Sequence, residues 1–134
     1  MLQEIGIQAN LGVDFGFETT LSGKGHLRVV RGLKRRGYDV HIFYLWVPSA
    51  ELTLARIKER VLRGGHDVPE AIVRRRFGRS LTNFWEQYRP LADEWILFDG
   101  SAAALSTIAK EIEGRLHILE SKSYNEIVRS FAKP

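Results

Sequence analysis

Apolar residues recur along this chain with two periods, near 3.6 and near 2, and each change of period predicts an element boundary. Leu2, Ile5 and Ala9 stand at helical spacing, so residues 2–11 read as the closing turns of a helix. Val13 to Glu18 reads as a short strand. Gly23 and Gly25 break the chain. Leu27, Val30 and Leu33 then recur about once per turn, which predicts an amphipathic helix over His26 to Arg36, stopped by Gly37. Tyr38 to Val47, YDVHIFYLWV, carries the strongest strand pattern. Val40, Ile42, Tyr44 and Trp46 fall on one face and Phe43, Leu45 and Val47 on the other. Apolar groups on both faces predict a central strand covered by helices on both sides.

Pro48 and Ser49 end that strand, and Ser49 can cap a helix reaching about Arg63, with Leu54, Ile57 and Val61 inward. RGGHDVP, Arg63 to Pro69, reads as a loop. Pro69 suits the first position of the next helix, whose stripe of Val73, Phe77, Leu81 and Phe84 carries it to about Tyr88. Trp95 to Asp99 reads as a third strand and Ala102 to Glu113 as a helix stopped by Gly114. Leu116 to Leu119 reads as an edge strand and Tyr124 to Phe131 as a last helix. Alternating strands and helices predict one α/β domain over residues 1–134 with a mostly parallel sheet. Ligands of such sheets bind beyond the carboxyl ends of the strands. Glu18-Thr19-Thr20 and Asp99-Gly100-Ser101 fall at two such ends.

Composition narrows the classes. The chain has 134 residues, 44% apolar and 27% charged, as an ordinary globular domain does. With no cysteine, disulfides and thiolate chemistry are excluded, which fits a cytoplasmic setting. No apolar run approaches the ~18 residues of a membrane span, and the N-terminus lacks the basic start and long apolar core of a signal peptide. The net charge of +4 is unevenly spread. Lys24 to Arg36 holds six basic residues and no acid, and Arg56 to Arg79 holds eight basic residues against three acids. Such clusters suit either an anionic partner or a solvated helix face. Only Phe77 interleaves with the second cluster and no aromatic with the first, a poor stacking platform for nucleic acid.

Two stretches offer chemistry. In GFETTLSG, Gly16 to Gly23, the Glu18 carboxylate can accept hydrogen bonds from sugar hydroxyls. Thr19 and Thr20 can donate to phosphate oxygens or hold a metal-bound water. The same residues also suit a plain surface turn. In VRRRFGR, Val73 to Arg79, Arg75, Arg76 and Arg79 fan out opposite the apolar stripe, where guanidinium forks can grip phosphate or simply keep the helix wet. His66 in the preceding loop can join a phosphate site or stand exposed. There is no metal-ligand spacing of His and Cys and no Gly-x-Ser-x-Gly elbow. SGKGH, Ser22 to His26, lacks the spacing of a phosphate loop.

Together, FETTLSG, then GYDVHIFYLWVPSAELTLARIKERV, then RGGHDVPEAIVRRRF and a strand ending in Asp99 resemble the zeta-toxin family of P-loop kinases. The branch matched is the one identified as zeta toxin or predicted ABC-type ATPase. The resemblance covers about residues 10–115. It implies phosphoryl transfer from ATP with Mg²⁺ to a hydroxyl of a nucleotide sugar such as UDP-N-acetylglucosamine, under control of an antitoxin. It implies Glu18, Thr19 and Thr20 on the substrate side, and a lid over residues 63–90 bearing His66, Arg75 and Arg76 toward the ATP phosphates. Arg74, beside the apolar stripe, is a weaker candidate. The family's Walker A loop and general-base aspartate have no counterpart in these 134 residues. The resemblance therefore implies a C-terminal portion of the kinase, inactive alone. A truncated gene product, half of a split protein and a misassigned start all fit. The family's Walker strand lies between the Val13–Glu18 strand and the next one. Without it, either those two strands pair or their edges stay open to self-association, an antitoxin or a complementary fragment.

Overall fold

A computed structural model describes residues 2–132. Helix α1, Leu2–Leu11, is followed by an extended stretch and then by α2, Gly25–Arg35, β1, His41–Trp46, α3, Ala50–Leu62, and α4, Glu70–Asn83. A π-helical turn at Phe84–Tyr88 and a 3₁₀ turn at Arg89–Leu91 lead into β2, Glu94–Asp99. A hairpin of β3, Ser106–Ile112, and β4, Arg115–Ile118, precedes α5, Ser121–Ala132.

Local chemistry accounts for the helix ends. The Ser49 hydroxyl accepts from the Leu52 N–H at 3.3 Å and caps α3. Both α2 and α3 close through glycines in the left-handed region. Gly37 has φ +89° and Gly64 φ +93°; the next residue's N–H, Tyr38 and Gly65 respectively, returns to Leu33 and Arg60. This paired closure satisfies carbonyls that the last helical turn leaves free. Gly65 has a second role, since a Cβ there would lie 2.7 Å from Arg60 Cγ. The two loop glycines in RGGHDVP thus terminate a helix.

The sheet is mixed and has four strands in the order β1-β2-β3-β4. Only β1 and β2 run parallel; β2–β3 and β3–β4 are antiparallel. This corrects the expectation of a mostly parallel sheet, and the cause is the segment 102–113. Its alanines and helical spacing predict a helix, yet Ser106–Ile112 forms β3 instead. Glu113 and Gly114 both hold positive φ, +53° and +75°, as the two central residues of a tight hairpin turn require. Three of the four alanines, 102–104, precede the strand; within it the β-branched Thr107, Ile108 and Ile112 suit a strand, and Ile108 and Ala109 are wholly buried, with β3 packed against β2 and α5.

A second correction concerns β1, which is an edge strand. Its even-numbered residues face the core, where Tyr44 stacks on Phe84 at 4.4 Å and Phe84 meets Trp95 edge-on at 6.1 Å. Leu27 and Val30 of α2 and Ile127 of α5 complete that core. On the other face Phe43 and Leu45 stay 67% and 50% exposed, so the strand is not covered on both sides.

The third correction concerns Val13 to Glu18. The stretch takes no regular secondary structure and pairs with no strand. Side chains tie it down at its ends. Tyr38 donates its hydroxyl to the Val13 carbonyl at 3.0 Å, and Phe15 packs edge-on against the Tyr38 ring. Phe17 stacks on His26 at 5.4 Å. Between this stretch and β1 the chain leaves an open trough of about 1560 Å³. The two segments do not pair; the gap between them stays open.

Candidate functional site

The stretch Thr19 to Gly23 is held in place by α4 and the π-helical turn behind it. Ser80 donates its hydroxyl to the Thr20 carbonyl at 2.6 Å. Asn83 donates its amide to the Leu21 carbonyl at 2.7 Å, and Tyr88 its hydroxyl to the Gly23 carbonyl at 3.2 Å. Leu21 sits at φ +56°, a costly conformation for a branched aliphatic residue, while its side chain is buried in the core. A buried amide on its carbonyl and a buried side chain together hold it there. The turn is therefore built, and it presents Glu18, Thr19 and Thr20 at a fixed place.

Ser80 also links the turn to the sheet. Its single proton goes to the Thr20 carbonyl, so Tyr44 must be the donor in the 2.9 Å bond between the two hydroxyls. Burial pushes the Tyr44 phenol above its usual pKa, against a smaller opposing effect from Ser80. The phenol therefore keeps its proton for that bond. The chain Tyr44–Ser80–Thr20 joins β1, α4 and the Glu18 shelf across one end of the trough.

Glu18, Thr19, Thr20 and Arg76 all line this trough, and Arg60 of α3 joins them. Arg76, Ser80 and Asn83 recur at intervals of four and three on α4 and so share a helix face. Arg75 and His66 are exposed and do not line the trough. Arg74 is engaged elsewhere. It bridges Glu51 at 2.7 Å and Glu70 at 3.0 Å, which ties α3 to α4 and holds the Glu51 carboxyl below its usual pKa. Of the arginines on α4, Arg76 alone lines the trough that the shelf also lines.

The other strand end, Asp99-Gly100-Ser101, is a turn. The Asp99 carboxylate accepts from the Ser101 N–H at 2.8 Å, and none of the three residues lines the trough. Among the described residues no cluster of three His, Asp or Glu side chains could hold a metal ion. Among the described residues the trough offers guanidinium groups but no glycine-rich phosphate loop, so a complete ATP site does not fit these residues and no step is derived through one. No helix among the described residues is long and apolar enough to cross a membrane.

Ser80, Asn83, Tyr44 and Arg60 were not singled out by the sequence. A signal existed for two of them: Ser80 and Asn83 are polar residues beside an apolar stripe, at the spacing that continues from Arg76. For Tyr44 and Arg60 only the packing of three separate elements around the trough brings them in.

No family model matches the chain, and no solved structure matches it. The chain is similar to a protein of Haemophilus influenzae described as uncharacterized, with 40% identity over 65 residues. That match covers 48% of this chain and 46% of the relative, so the chain spans about half the length of the curated relative it matches.

Proposed function

We propose that this chain supplies the acceptor-side shelf and the lid of a small-molecule kinase of zeta-toxin type. In that reading Glu18, Thr19 and Thr20 hold the sugar of a nucleotide sugar such as UDP-N-acetylglucosamine. Arg76 binds its phosphates, and Arg60 also lines the trough. The observation that carries the reading is the shared trough: an acid and two hydroxyls on one wall, guanidinium groups on another, and α4 fixing both through Ser80 and Asn83. A carboxylate suits sugar hydroxyls and guanidinium forks suit diphosphate. Arg75 and His66 reach ATP phosphates only if the lid closes further. The phosphate cradle of ATP comes from outside these residues, so the chain alone turns over no ATP.

Isothermal titration with UDP-N-acetylglucosamine tests this. Weak binding is expected, lost by at least ~10-fold in Glu18→Gln and in Arg76→Ala, with Arg75→Ala unchanged. A flat titration up to about 5 mM sugar nucleotide refutes the reading. So does Mg²⁺-dependent ATP hydrolysis by the purified chain.

A further inference from the structure

Helix α2 carries a row of cations that no acid in the described residues neutralises. Lys24, at its N-cap, is followed by Arg28, Arg31 and Arg35 at steps of four, three and four, so they share one helix face. Each is exposed, and none makes an ion pair or a side-chain hydrogen bond among the described residues. The cations beside the row are engaged: Lys34 pairs with Asp93 at 3.0 Å, and Arg36 donates to Asn10 at 3.2 Å. Exposed arginines elsewhere are also matched, Arg63 with Glu59 and Arg74 with Glu51 and Glu70. Like charges three and four residues apart repel, and the first turn of α2 holds no acid to offset Lys24. The helix start is open as well. No side chain caps it, and the Gly25 and His26 N–H groups have no hydrogen-bond partner among the described residues. Gly23 and Gly25 leave free space where a Cβ would stand. None of Lys24, Arg28, Arg31 and Arg35 lines the trough, so this face is separate from the candidate site.

We propose that this face of α2 docks on the phosphate backbone of a nucleic-acid duplex, without regard to base sequence. The partner's chemistry follows from charge and spacing. Guanidinium and ammonium groups in a row, with free backbone N–H groups at the helix start, are the donors that phosphate oxygens accept from. From Lys24 to Arg35 the row extends about 16 Å at ~1.5 Å per residue. A duplex carries one phosphate per ~1.7 Å of its axis, so such a rod passes roughly ten of them. A single phosphate ligand would leave most of the row unmatched. A single strand is a poorer partner, because no aromatic side chain interleaves with these cations to stack on its bases. An anionic membrane is poorer too. Its surface helices bury an apolar face in lipid, whereas Leu27, Val30 and Leu33 of α2 are already buried in the protein. The docking face stands on the unpaired cations and does not depend on the kinase reading.

The test uses the full chain and fluorescence anisotropy with labelled duplexes of about 24 base pairs, one DNA and one RNA of the same sequence. Binding should be micromolar at about 50 mM salt, and log K should fall with log salt at a slope of about −3 to −4, as four phosphate contacts require. The better-bound duplex, or equal binding of both, identifies the source of the phosphates, and each of these results supports the proposal. Arg28→Gln/Arg31→Gln should weaken binding at least ~10-fold and make the slope shallower by about two. Lys58→Gln/Arg79→Gln removes the same charge from α3 and α4 and should change affinity less than ~2-fold. The Tm of Arg28→Gln/Arg31→Gln should hold or rise, since repelling neighbours are removed; a lower Tm would make the two arginines structural and overturn the proposal. So would equal loss in the two double variants, a slope shallower than about −2, or no binding of either duplex up to about 100 μM protein. Tighter binding of the separated strands overturns it too. So does more effective competition, per charge, by polyglutamate or by vesicles with about 30% phosphatidylserine than by unlabelled duplex. Because the readout is duplex binding through residues outside the trough, it can fail while the sugar-nucleotide titration succeeds, and the reverse.

Discussion

Asn83→Ala removes the buried amide that holds the Glu18 shelf. The Asn83 side chain lies in a residue only 7% exposed and donates at 2.7 Å to the carbonyl of Leu21, itself 8% exposed. Losing the donor leaves that carbonyl without a partner, at a cost of about 1–3 kcal/mol. The void left by the amide adds about 0.5–1 kcal/mol. Leu21 at φ +56° stores strain that the bond helps to hold, so little is recovered unless the turn rearranges. The expected loss is therefore about 1.5–4 kcal/mol. Urea denaturation followed by the fluorescence of Trp46, Trp85 and Trp95 measures it. With a slope of about 2 kcal/mol per molar urea, the midpoint should fall by about 0.75–2 M with the slope unchanged. Asn83→Leu fills the space but supplies no donor, and should still lose at least about 1 kcal/mol. A midpoint shift below about 0.3 M in Asn83→Ala would refute the claim that this amide fixes the turn.

Two further outcomes follow from the same geometry. The Asp93 carboxyl accepts from the Val40 N–H at 2.7 Å and pairs with Lys34 at 3.0 Å, and chiefly the Val40 bond holds its pKa below the ordinary 3.8. A depressed folded pKa gives stability that is full above the ordinary value and lost as pH falls through the folded one. The gap between wild type and Asp93→Asn should then be constant near neutrality and close below about pH 4, and a gap that persists in stronger acid contradicts this ion pair. Glu113→Asn keeps a hydrogen-bonding side chain but tolerates the positive φ of the β3–β4 turn. It should stabilise by up to about 1 kcal/mol and raise Tm by about 2–4 °C, and a lower Tm would show that the turn is not strained.

Hydrophobic spacing and turn chemistry identified most elements before any coordinates. α2 with its Gly37 stop, the Ser49 cap, β1, α4 and the strand ending at Asp99 all stand where the pattern predicts, because each is decided within a few residues. Local sequence also picked out the acid and threonines of GFETTLSG and the arginine row of α4. It misread Ser106–Ile112 as part of a helix. The three alanines at 102–104 precede the strand, and the burial of Ile108 and Ala109 that fixes it is a tertiary quantity. Nor could it show that β1 lies at an edge, since an apolar strand looks the same whether or not a neighbour is present. The choice of Arg76 over Arg75 needed the rotation of α4 about its axis, which Ser80 and Asn83 fix by reaching across some 60 residues to Thr20 and Leu21. The sequence by itself determined which groups were on offer. Only the packing of α4 against the turn and β1 decided which of them meet, because hydrogen bonds between distant segments depend on where the whole core places their backbones.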